Sequence, residues 1–101
     1  MASDKNYLET IIEAVGGVEY RPMMGEYLLY FKGKLIGGVY DNRLLLKKTR
    51  AAEKLLPDAV FELPYAGAKE MLVVEDVENA ELLSALFNAT AGELPLPKKR
   101  K

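Results

Sequence analysis

Cysteine and histidine are both absent from this chain. Their absence excludes disulfides, thiolate chemistry, zinc-finger sites and any catalytic triad or dyad built on histidine. Hydroxyl nucleophiles are scarce too: the serines are Ser3 and Ser84, and the threonines are Thr10, Thr49 and Thr90. A nucleophile needs a positioned activating base, and none of these has a histidine to serve it. Long apolar runs are missing, with none near the ~20 residues that cross a bilayer. The polar run Ser3-Asp4-Lys5-Asn6 interrupts the start, which does not read as a secretory signal. The expectation from these absences is a cytoplasmic domain without enzymatic activity, membrane association, metal or cofactor.

What is present is enough for one folded domain. Half of the 101 residues are hydrophobic and 29% are charged, a balance that supports a core and argues against disorder. The net charge of −1 hides a split. Lys98, Lys99, Arg100 and Lys101 hold four of the 14 cations, so residues 1–97 carry ten cations against 15 anions, a net of −5. The body is acidic and the tail basic. An acidic body argues against a surface devoted to phosphates. The boundary falls at Pro95-Leu96-Pro97: residues 1–94 form the domain, and 95–101 a disordered basic tail.

Tyr7, Leu8, Ile11, Ile12 and Val15 recur at helical spacing and predict a helix over 4–15, capped by Ser3 and ended by Gly16-Gly17. Strands follow at 18–24, 26–31, 35–40 and 43–47. Pro22 cannot donate to a ladder and places the first of them at an edge or a bend. Lys32-Gly33 and Asp41-Asn42 read as two-residue turns that need left-handed backbone angles. A short helix over 49–56 is capped by Thr49, and short strands follow at 60–63 and 71–74. A last helix starts at Asp76 or Asn79, presents Leu82, Leu83, Leu86 and Phe87, and ends at Gly92. The order α-β(3–4)-α-β(2)-α, with short loops that force antiparallel neighbours, is α+β: two layers, helices on a mostly antiparallel sheet.

The two tight turns predict a register. Phe31 faces Lys34, Leu29 faces Ile36 and Tyr27 faces Gly38 across one hairpin; Tyr40 faces Arg43 and Gly38 faces Leu45 across the next. One face then carries Leu28, Tyr30, Leu35, Gly37, Val39, Leu44 and Leu46, apolar and turned to the helices. The other carries Tyr27, Leu29, Phe31, Ile36, Gly38, Tyr40, Arg43, Leu45 and Lys47. That second face is also largely apolar. Either the first or last helix crosses to cover it, or it meets a partner. Tyrosine, phenylalanine and arginine are types enriched at interface anchors, and a homodimer is the simplest partner.

Other features are weaker. No phosphate-binding glycine motif occurs, and Gly37-Gly38 inside a strand marks relief of crowding beneath an aromatic neighbour or a close approach. Glu75-Asp76-Val77-Glu78 reads as a loop with helix-start acids, without the ligand spacing of a calcium loop. The turn at Arg21, Met23 and Met24 is either an adaptable contact surface or a strand end with core methionines, and the same two readings hold for Tyr65 and Lys69. The tail from Lys98 to Lys101 is either a solvated end or a weak, salt-sensitive nucleic-acid patch.

The run Arg21-Pro22-Met23-Met24-Gly25-Glu26-Tyr27, then Leu29-Tyr30-Phe31-Lys32-Gly33, then Gly37-Gly38-Val39-Tyr40-Asp41-Asn42-Arg43-Leu44, resembles the TfoX (Sxy) N-terminal domain family of bacterial competence regulators. Leu44-Leu45-Leu46-Lys47, Phe61-Glu62-Leu63-Pro64-Tyr65 and Met71 extend the likeness over about residues 7–90. Met24 and Glu26 stand where the family usually has an aromatic and a glycine, and the chain stops where longer regulators continue into a second domain. The resemblance implies a small two-layer α+β fold, no catalytic residues, and a regulatory role linked to transcription or competence. The expected function is therefore a non-enzymatic regulatory or protein-interaction module, with contacts drawn from Arg21, Met23, Met24, Tyr27, Phe31, Tyr40, Arg43, Lys47, Tyr65 and Lys69. The alternatives are weak nucleic-acid binding through the tail and an aromatic-basic face, or a small-ligand binder or unrecognised enzyme.

Overall fold

A computed structural model describes residues 4–95. Helix α1 (Lys5–Val15) opens the chain, and its cap is Asp4, whose carboxylate accepts from the Asn6 amide at 2.9 Å. Ser3, the expected cap, lies outside the described residues. Four strands follow in a meander: β1 (Val18–Met23), β2 (Glu26–Phe31), β3 (Lys34–Tyr40) and β4 (Arg43–Lys47). All three connections are two-residue turns with positive φ at both positions: Met24-Gly25, Lys32-Gly33 and Asp41-Asn42. This is the backbone twist that matches antiparallel strands.

Thr49 caps the short helix α2 (Arg50–Leu55) through its hydroxyl. Strand β5 (Phe61–Glu62) and strand β6 (Met71–Val74) come next, and Asn79 caps the final helix α3 (Ala80–Glu93). Gly92, the expected terminator, lies inside α3, which runs one residue further. The Lys34 ammonium anchors that end by donating to the carbonyl oxygens of Ala91 and Leu94.

The six strands form one antiparallel sheet in the order β1-β2-β3-β4-β6-β5. β1, which carries Pro22, is an edge as predicted, and β6 slots between β4 and β5. All three helices lie on one face. The core there joins Leu8 and Ile11 of α1, Ala52 of α2, and Leu83, Leu86, Phe87 and Ala91 of α3 to Leu29, Phe31, Ile36, Val39, Leu44, Leu46, Leu72 and Val74 of the sheet. The fold is therefore α+β, helices over an antiparallel sheet, in the predicted order of elements.

The β3–β4 register is as predicted, with Gly38 opposite Leu45 and Tyr40 opposite Arg43. The β2–β3 register is not. Phe31 faces Lys34 and Tyr30 faces Leu35, but Leu29 then faces Gly37 and Tyr27 faces Val39. Ile36 is the extra residue of a β-bulge, and beyond it every β2 side chain exchanges faces relative to β4. Tyr27, Leu29, Phe31 and Ile36 consequently sit on the helix side, while Leu28, Tyr30 and Leu35 sit on the open side. The bulge occurs where glycine allows it. A Cβ on Gly37 would lie 2.1 Å from the Leu45 carbonyl oxygen. One on Gly38 would lie 2.8 Å from the Tyr40 ring, the crowding beneath an aromatic that the sequence foreshadows.

Candidate interaction surface

Among the described residues, no helix crosses to the second face of the sheet. Instead Tyr40, Leu45 and Val73 form a small buried cluster there, with half-buried Leu28 and Met71 packed on it. Of the two alternatives for this face, cover by α1 or α3 is overturned: both helices pack on the opposite side, with α2. What borders the open face is the loop 63–70 between β5 and β6. Together the sheet and the loop enclose a groove of about 940 Å³. Its floor includes Leu28, Leu35, Tyr40 and Met71; Pro64 and Tyr65 stand at one wall and Met23 at the far end of β1.

Charge is unevenly placed around it. Lys47, Lys48 and Lys69 line the groove against a single acid, Glu70. Lys48 lies 3.9 Å from Glu70 and 4.8 Å from the Phe61 ring centre. Lys47 and Lys69 have no ion-pair partner among the described residues. Arg43 lies on the same face of the sheet and pairs with Glu62 of β5 across β6. Arg21 lies there too, its guanidinium carbon 5.9 Å from the Tyr30 ring centre. Burial pushes the Tyr40 phenol above its ordinary value, and the nearby Tyr65 and Glu26 add to the rise.

The structure thus brings together five of the residues singled out from sequence: Met23, Tyr40, Lys47, Tyr65 and Lys69. Arg21 and Arg43 share their face of the sheet without lining the groove. Met24 projects from the β1–β2 turn, 98% exposed. Tyr27 and Phe31 are elsewhere. Phe31 is in the core, edge-on to Phe87 at 5.9 Å, and Tyr27 packs against that same core with Tyr20 at 5.6 Å. The tail residues Lys98, Lys99, Arg100 and Lys101 lie outside the described residues. Leu28, Leu35 and Met71, the apolar floor, were not among the sequence candidates. Alternation alone puts Leu28 and Leu35 on the helix side, and only the bulge reverses them.

Among the described residues, no three acidic side chains gather in a way that would hold a metal ion, and no helix is long and apolar enough to cross a membrane.

A protein of Spirochaeta aurantia, described as "Uncharacterized 12.7 kDa protein in trpE 5'region", is 39% identical over 105 residues, covering all of this chain and 91% of the relative. No solved structure matches the chain significantly. The TfoX N-terminal domain family matches residues 10–91, which takes in every strand, α2, α3 up to Ala91 and the second half of α1. The chain belongs to the TfoX N-terminal domain family.

Proposed function

We propose that this domain is a non-enzymatic regulatory module that works by binding a protein partner in the groove on the open face of its sheet. Membership of the TfoX N-terminal domain family supports a regulatory role in general. One observation carries the finer reading: a sheet face with an apolar floor of Leu28, Leu35 and Met71 is left without a helical cover, while all three helices pack on the other side. Apolar surface of this kind marks a contact site. The partner presents an apolar and acidic surface, because the groove concentrates lysines in a body whose net charge is negative. A second copy is a poorer fit. A twofold contact through this groove sets Lys47 and Lys69 of both copies into one interface, where like charges repel.

The test is site-specific photocrosslinking in the native host. A benzoylphenylalanine replaces Leu35 in the groove or, as control, Glu13 on the exposed side of α1. The reading expects one protein crosslinked from position 35 and not from 13, and loss of its binding to purified Leu35→Lys protein of unchanged circular dichroism. Crosslinks only from position 13, only to a second copy, or only to nucleic acid overturn it.

A further inference from the structure

The groove floor also restricts the conformation of whatever lies in it. β2, β3, β4 and β6, the strands beneath it, are each paired on both sides: β2 with β1 and β3, β3 with β2 and β4, β4 with β3 and β6, and β6 with β4 and β5. Their backbone donors and acceptors are spent within the sheet. An extended segment lying on this floor finds no ladder to join, and its own amides and carbonyls are left unpaired against Leu28, Leu35 and Met71. An unpaired polar group taken out of water is costly. A helix satisfies its backbone internally and presents only side chains.

The width agrees. Four strands at about 4.8 Å spacing give a floor of about 14 Å between outer strand axes, against a helix diameter of about 10–12 Å. The charge completes the description. Lys47, opposite Met71 at the end of β4, and Lys69 on the loop have no ion-pair partner among the described residues.

From these observations we infer that the groove receives an amphipathic α-helix of the partner, its apolar stripe on Leu28, Leu35 and Met71 and its flanking carboxylates on Lys47 and Lys69. The inference rests on the groove being the contact site and goes beyond it by assigning the occupant's conformation and charge pattern. Tyr65, 60% exposed on the loop wall, closes against the helix and supplies aromatic contact at its edge.

The probes are three fluorescein-labelled 18-residue peptides with one leucine stripe. The first flanks it with glutamates, the second with lysines, and the third is the first with two central prolines that break the helix. Each is titrated by fluorescence anisotropy into the full chain and into the double variant Lys47→Glu/Lys69→Glu, whose fold is checked by circular dichroism. The glutamate helix binds the full chain at least tenfold more tightly than either other peptide. The double variant loses that advantage and favours the lysine helix. Equal binding of the glutamate and lysine helices, equal binding of the proline-broken peptide, or no binding of the glutamate helix overturns the inference. Failure here leaves the crosslinking result standing if a partner attaches at position 35 in an extended or loop conformation, so the two readings fail separately.

Discussion

The Lys34 ammonium lies 2.6 Å from the Ala91 carbonyl oxygen and 2.9 Å from that of Leu94. A residue at the start of β3 thus closes the carboxyl end of α3, where unpaired carbonyls and the helix dipole favour a cation. Lys34→Met keeps the aliphatic stem and removes the charge. We expect a loss of about 1 kcal/mol in urea unfolding, with faster amide exchange confined to the last turn of α3. An unchanged exchange pattern in that turn contradicts the assignment.

Glu93 does the matching task at the other end of a helix. Its two carboxylate oxygens accept from the amides of Arg50 and Ala51, the first residues of α2, at 3.0 and 3.1 Å. Thr49 caps the same helix locally. Glu93→Ala is expected to cost about 1 kcal/mol, and Thr49→Ala a similar amount. The double variant should cost less than a simple sum if the two caps hold one cooperative end, which a double-mutant cycle measures.

The glycine pair sets a sharper contrast. At Gly37 an added methyl meets the β4 backbone, at 2.1 Å from the Leu45 oxygen and 2.9 Å from the Leu46 Cα. At Gly38 it meets the Tyr27 carbonyl oxygen at 2.6 Å and the Tyr40 ring at 2.8 Å. Backbone cannot step aside as a ring can. Gly37→Ala is expected to cost about 3 kcal/mol. Part of the Gly38→Ala cost should be relieved by Tyr40→Ala, which clears the ring, whereas Gly37→Ala should gain nothing from it.

Phe31 and Met24 stood side by side as candidate contact residues, yet the structure separates them. Phe31→Ala opens a cavity against Phe87 and should cost about 3–5 kcal/mol. Met24→Gln, unbranched at a 98% exposed turn position, should leave stability within about 0.5 kcal/mol. A strong loss at Met24 or a weak one at Phe31 contradicts the placement of these two residues.

Tyr40 and Tyr7 give the fold an alkaline limit. Burial raises both phenols above 10.0, and a backbone hydrogen bond involving Leu44 partly offsets the rise at Tyr7. A phenol raised by folding is harder to ionise when folded than when unfolded. Its contribution is intact below the unfolded value near 10 and is lost as pH climbs through the folded value. Stability should therefore fall above pH 10, and Tyr40→Phe should flatten that fall. Titration of tyrosinate absorbance in the folded protein should show fewer groups ionising near pH 10 than the six tyrosines present.

The meander was legible because turn chemistry is local. Lys32-Gly33 and Asp41-Asn42 announce their hairpins, Pro22 announces an edge or a bend, Thr49 announces a helix start, and Asp76 or Asn79 announces another. The β3–β4 register followed from turn length alone. The β2–β3 register did not, because an inserted residue leaves no mark on an apolar run such as Leu35-Ile36-Gly37-Gly38-Val39. That single inserted residue takes Tyr27 and Phe31 off the open face and puts Leu28 and Leu35 on it. Tyr65 and Lys69 of the loop 63–70 are legible as contact candidates, but the place of that loop over the sheet is not. Its position over the sheet depends on β6 inserting between β4 and β5, a pairing between segments distant in sequence that no periodicity encodes.

That insertion separates the groove into parts with different histories. Three strands of the floor belong to a meander whose turns are two residues long, so their pairing closes little chain and can form early and locally. The loop wall is carried by β5, which is two residues long and paired on one side only. Opening the wall breaks few bonds, while opening the floor unfolds the domain. The site therefore combines a rigid template with an adjustable border: substitutions along 63–70 can change what the groove accepts at little cost to folding, and different members of a lineage can acquire different partners on one unchanged sheet.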